Sequence, residues 1–150
     1  MFHQPGGMSP LEQQEALNSV GRSILEQHPE GWARIEFTYK KVGGAATGGI
    51  VVFREDGTAE PFGSSKEAFS HSRNLRHGMY TEGQGTWFSL KYTITPPGKY
   101  SVDFNYDERP DFTFPPTPQD YAEEMKKYPR RPDRIPEWLQ EEIKKAERGE

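Results

Sequence analysis

Hydrophobic and polar residues alternate most strictly between Thr86 and Glu108, in the stretch TWFSLKYTITPPGKYSVDFNYDE. Phe88, Leu90, Tyr92 and Ile94 fall at every second position, and Tyr100, Val102, Phe104 and Tyr106 do so again after a Pro-Pro-Gly break. That is the pattern of two strands, each with one buried face. A slip of one residue would set apolar positions against polar ones, so the register follows: Ile94 faces Tyr100, Tyr92 faces Val102, Leu90 faces Phe104 and Phe88 faces Tyr106. On the other face the same register pairs Lys91 with Asp103 as ions and Trp87 with Asp107, leaving an exposed aromatic and surplus acid. Pro97 fits poorly at the second corner of a type I turn, which points to a wider loop.

The rest of the chain shows one period or the other. In SPLE, Ser9 is placed as an N-cap, Pro10 as the first helical residue and Glu12 as the closing member of a capping box. Leu17, Val20, Gly21, Ile24 and His28 then recur at helical spacing, so a helix is expected from Pro10 to His28, stopped by Pro29, with Gly21 as a close-packing point against a sheet. Ala33, Ile35, Phe37 and Tyr39 alternate as a strand. GGAATGG reads as a seven-residue loop without the Lys-Ser/Thr ending of a phosphate-binding loop. IVVFR reads as a buried strand, and EDGT as a turn into an edge segment ending at Pro61. A helix capped by Ser64 or Ser65 follows, with Ala68, Phe69, Ser72, Leu75 and Arg76 along one side. Thr117 and Asp120 bracket another helix start, with Tyr121, Met125 and Tyr128 on one face and Pro129 at its end. A last helix starts at Pro136, anchored by Trp138, Leu139 and Ile143.

Together these elements predict an α+β fold: a mostly antiparallel sheet of two hairpins, roughly four to six strands, with an N-terminal helix, a crossover helix and C-terminal helices. The helices are expected mainly on one face, with the other partly open. Residues 1–8 are expected as a flexible tail and 9–150 as a single domain, of which 129–150 is a proline-rich segment and C-terminal helix. Composition alters this picture only at its margins. A mean hydropathy of −0.95 suggests disorder, but 9 Phe, 7 Tyr and 3 Trp supply a small aromatic core. No cysteine is present, so disulfides and thiolate metal sites are excluded. Neither a signal peptide nor a membrane span is legible, and the expected location is cytoplasmic.

The net charge of −4 is unevenly placed. Residues 1–100 hold 10 acids and 10 bases, whereas 101–150 hold 13 acids and 9 bases. Between Asp103 and Glu124, Asp103, Asp107, Glu108, Asp111, Asp120, Glu123 and Glu124 face the single base Arg109. Such a field repels phosphate backbones and attracts basic protein surfaces, so direct nucleic acid binding is not expected. His3, His28, His71 and His77 lack metal-ligand spacing, and His71 and His77 read as solvated surface residues. GxSxG is absent, and Gly83-Gln84-Gly85 precedes a strand, not the helix a dinucleotide site requires. The acidic cluster has three readings. Asp103, Asp107 and Glu108 could hold a hard cation or form an acid/base pair in a small hydrolase or metal-dependent enzyme. They could be a solvated sheet face. Or, with Trp87, Tyr106 and Phe112 nearby, they could bind protein, aromatic anchors supplying energy and carboxylates steering a basic partner. A fourth possibility is an adaptor docking peptides on a sheet edge.

From Leu11 to Leu139 the order of elements, with LRHGMY, GQGTWFSLKYTI, PPGKY, SVDFNYDE and YPRRPDRIPEWL, resembles the YezG-like antitoxin or immunity proteins of bacterial polymorphic toxin systems. GTWFSL and VDFNYDE are its most specific parts. The resemblance implies a protein without catalytic residues or cofactor that neutralises the C-terminal domain of a cognate toxin by stoichiometric binding. Toxins of such systems are often nucleases, whose cationic groove an acidic surface would suit. The expected partner contacts are Trp87, Asp103, Asp107, Glu108 and Asp111, with Tyr106 holding the hairpin to the core.

Overall fold

The computed structural model describes residues 4–63 and 65–150. Met1–His3 and the alternative cap Ser64 lie outside the described residues, and the helix that follows is capped by Ser65, whose hydroxyl accepts the Ala68 N–H at 3.2 Å. Among the described residues, helices α1 (Pro10–Gln27), α2 (Lys66–Gly78), α3 (Pro118–Lys127) and α4 (Glu137–Glu147) accompany strands β1 (Arg34–Val42), β2 (Ala45–Phe53), β3 (Ala59–Phe62), β4 (Ser89–Thr95) and β5 (Lys99–Asn105). The fold is α+β, with an open five-stranded antiparallel sheet in the order β3-β2-β1-β4-β5. α2 crosses from the β3 edge to β4, so β1 and β4 become the centre and each hairpin an outer wing.

The inner sheet face is built by alternation. Ile35, Phe37 and Tyr39 of β1, Ile50 and Val52 of β2, and Leu90, Tyr92 and Ile94 of β4 are buried together under Val20 and Ile24 of α1 and Ala68 and Leu75 of α2. Gly21 is the close-packing point anticipated: a Cβ there would lie 2.5 Å from the Tyr92 hydroxyl, which donates to the Leu17 carbonyl at 2.7 Å. α1 and α3 both begin with capping boxes, Ser9 with Glu12 and Thr117 with Asp120. Of the β4–β5 register, Ile94 with Tyr100, Tyr92 with Val102 and Leu90 with Phe104 form as expected. The turn between them is tight, not wide: Thr95 pairs with Lys99, and Gly98 N–H donates to the Thr95 carbonyl at 2.9 Å.

Three expectations need correction. GGAATGG is not a seven-residue loop: only Gly43 and Gly44 turn, and Ala45 already pairs with Val42. Its later glycines make room in a strand, since a Cβ on Gly48 would sit 2.1 Å from the Thr38 carbonyl oxygen and 3.1 Å from the Phe69 ring. Second, β4 does not extend back to Trp87. The chain bends at Phe88, whose N–H donates to Asn105 and not to its expected partner Tyr106, so the alternation breaks. Trp87 enters the main core, and Phe88 enters a second one with Val42, Phe112, Tyr121 and Leu139. Third, α3 and α4 do not join α1 on the inner face. They enclose that second core beside the β1–β2 turn, where Gly43 N–H donates to the Glu124 carboxylate at 3.1 Å.

The two cores are joined by buried charge. Arg76 of α2 and Glu124 of α3, each with side chains 1% exposed, form an ion pair, and Arg76 Nε also donates to the Trp87 carbonyl at 2.7 Å. Arg130, also buried, lies over the Phe88 ring at 4.7 Å and donates to the Thr86 and Arg134 carbonyls. Gly85 explains how it fits: with φ of +75° and a virtual Cβ 2.5 Å from Arg130 Nε, the position admits no side chain. Among the described residues no helix is long and apolar enough to cross a membrane.

Candidate functional site

The outer sheet face carries polar side chains from β1, β2, β4 and β5 but is not covered by a helix layer. Thr38 and Lys40 of β1, Thr47 of β2, Lys91 and Thr93 of β4, and Ser101 and Asp103 of β5 share it by parity. Asp103 is exposed and stands directly opposite Lys91, yet Lys91 pairs with Glu36 of β1 at 3.5 Å. The expected Lys91–Asp103 ion pair is therefore replaced, because Glu36 already lies on the adjoining central strand.

Beyond β5 the backbone is fastened residue by residue. The Asn105 carboxamide accepts the Glu108 N–H and donates to the Glu108 carbonyl, both at 2.9 Å. This turn sets Asp107 and Glu108 outward. The Asp107 carbonyl accepts Trp138 Nε1–H at 2.8 Å, while its carboxylate, 80% exposed, stands 3.9 Å from Arg130. Burial pushes the Arg130 guanidinium below its ordinary pKa, and Asp107 pulls it back up. Arg109 reaches Glu142 of α4 at 3.0 Å and lies over the Trp138 ring.

The segment from 110 to 116 then runs as a strap across the end of the outer face. Pro110, Phe112 and Pro116 are buried, whereas Asp111, Thr113, Phe114 and Pro115 are exposed. Lys40 donates to the Asp111 carbonyl and ties the strap to β1. Between strap and sheet lies a groove of about 320 Å³, bordered by Thr38, Lys40, Thr47, Val51, Asp111 and Thr113. Phe114 projects from the strap with 86% of its surface exposed.

Of the contacts expected from sequence, Asp107, Glu108 and Asp111 fall within this strap and the turn before it, and Asp103 lies on the open face of the adjoining strand. Trp87 does not belong with them. It is fully buried, its indole N–H donates to Met79 Sδ at 3.3 Å, and its ring meets Tyr39 and Phe104, because the bend at Phe88 turns it inward. Phe112 is buried as well, and Tyr106 packs against the main core as expected. The acidic segment is also less of a patch than its composition implies: Glu124 is consumed by Arg76, and Asp120 by its own helix cap. Phe114 was missed because Phe112 and Phe114 are equivalent in sequence pattern; nothing local says that only one is swallowed. His77, read as solvated, has Nδ1 at 2.8 Å from the Tyr128 hydroxyl. Among the described residues no three His, Asp or Glu side chains are grouped to hold a metal ion. Compared with known proteins, the chain matches no family model and no curated sequence.

Proposed function

We propose that this is an immunity protein: it binds the toxin domain of a cognate bacterial polymorphic toxin stoichiometrically, through the strap and the acids that flank it. The observation that carries the reading is Phe114, a large apolar side chain left 86% exposed on a segment anchored by buried neighbours on both sides. An aromatic held out in this way loses little freedom on binding, and burying it is worth about 1.5–3 kcal/mol. Hot spots of protein interfaces have this character: a rigid aromatic ringed by polar groups that exclude water. Glu108, Asp111 and Asp107 are the exposed acids that precede Phe114 in the chain, and their sign selects a basic partner and speeds its capture. The resemblance of GTWFSL and VDFNYDE to immunity proteins supports the same reading.

The test is a pull-down from the source bacterium, followed by titration of the dominant partner against three forms of the protein. Phe114→Ala should weaken binding by about 2 kcal/mol, roughly thirtyfold, and should remove protection from the toxin. Glu108→Lys with Asp111→Lys should slow association and flatten its rise at low salt. Unchanged affinity and protection in both variants would sink the assignment of this surface. Absence of any dominant partner would sink the immunity reading itself.

A further inference from the structure

We infer that the cavity between the C-terminal ends of α2 and α3 is a binding site for a small organic anion bearing a phosphate or pyrophosphate group. It lies on a different part of the molecule from the strap, and its volume is about 1010 Å³. Three elements bring cations into it: Lys41 from β1, Arg73 and Arg76 from α2, and Lys127 from α3. Arg76 is already satisfied by Glu124 and the Trp87 carbonyl. The other three have no carboxylate partner among the described residues, Lys41 donating only to the Gly43 carbonyl at 2.9 Å and Lys127 lying 5.7 Å from the Tyr128 ring centre. The acid in the lining is Glu12, which is engaged in the Ser9 capping box.

In a chain of net charge −4, three cations without a paired carboxylate repel one another in one concavity, and the nearby Glu124, already engaged by Arg76, is the acid that offsets them at Lys41. Burial pushes the Lys41 ammonium below its ordinary pKa, with Arg76, Lys127 and Arg73 pushing in the same direction and Glu124 opposing them. An anion carrying more than one charge would relieve all of these at once. Arg and Lys together suit phosphate, the guanidinium as a two-pronged donor and the ammonium as a point charge. The volume exceeds what an inorganic phosphate fills, so the ligand has an organic remainder. A wall for it is ready: Gln4–Met8 run back along α2, with Gly6 N–H on the His77 carbonyl at 2.9 Å and Met8 N–H on the Gly78 carbonyl at 3.2 Å. A concavity walled by β1, α2, α3 and residues 4–8 favours a small molecule over an extended polyanion, which needs a long open track.

Calorimetric titration of the full chain with pyrophosphate, adenosine triphosphate and a short single-stranded oligonucleotide tests this without any protein partner, so its outcome is independent of the immunity reading. Pyrophosphate and the triphosphate should bind saturably, one molecule per chain. Arg73→Glu with Lys127→Glu, both exposed and without a carboxylate partner among the described residues, should weaken binding at least about tenfold, whereas the control pair Arg22→Glu with Lys66→Glu should not. Circular dichroism would establish that both double variants remain folded. No saturable binding at millimolar probe, or equal weakening in both pairs, overturns the inference. Tighter binding of the oligonucleotide, growing with its length, overturns it in favour of a polyanion surface.

Discussion

Arg76 and Glu124 show how far a single pair of residues can decide a fold of this size. They are 48 positions apart in the chain, both 1% exposed, and each is also held by a backbone group, the Trp87 carbonyl for one and the Gly43 N–H for the other. A buried charge without its partner retains the full cost of leaving water, so Arg76→Met or Glu124→Leu alone should cost about 3–5 kcal/mol. Making both changes together should recover much of that loss, because an apolar pair of similar volume avoids desolvation altogether. Urea denaturation of the two single variants and the double variant measures both statements, and equal losses in all three would contradict them. The sequence placed Arg76 on the buried side of its helix by periodicity, but Glu124 read as one more acid of an exposed cluster. Charge type speaks for solvent; only the packing of α3 against the β1–β2 turn reveals the partner.

At the scale of elements, the register of β4 and β5 was legible because each apolar side chain has an apolar partner in only one alignment. What alternation could not show was the bend that sends Trp87 and Phe88 into different cores, since two adjacent aromatics satisfy either face equally. AATGG escaped for the opposite reason: small side chains carry no hydrophobic signal, and their strand comes from pairing with β1. Phe88 is consequently the residue on which α3 and α4 depend. Phe88→Ala should cost about 3–5 kcal/mol and expose its effect locally. Hydrogen exchange should speed up in α3 and α4 well before β1 and β4, whose main core has no atom missing. Uniform loss of protection across all elements would show instead that the two cores unfold as one.

For the whole molecule, the large share of buried phenol sets a limit in alkali. Tyr39, Tyr92, Tyr106, Tyr121 and Tyr128 all have pKa values raised above the ordinary 10.0, with burial the first cause in each. The unfolded chain therefore releases phenolic protons that the folded chain keeps. Their stabilising contribution is fully present below pH 10.0 and is lost progressively as pH rises above it, by at most about 1.4 kcal/mol per pH unit for each tyrosine. Urea midpoints should fall between about pH 10 and about pH 11 faster than between about pH 9 and about pH 10. Tyr92→Phe should make that fall shallower, while losing about 1 kcal/mol at neutral pH with the hydrogen bond to Leu17. A slope identical to that of the unaltered chain would rule out Tyr92 as a contributor.

The strap from 110 to 116 divides its residues into two kinds. Pro110, Phe112 and Pro116 are its foundations, while Asp111, Thr113, Phe114 and Pro115 touch neither core. Inheritance can treat these kinds separately: the outward letters are free to drift while the inward ones hold the scaffold still. The same division makes the loop a cassette. A library randomised at 111, 113, 114 and 115 alone would vary the exposed surface on an unaltered frame.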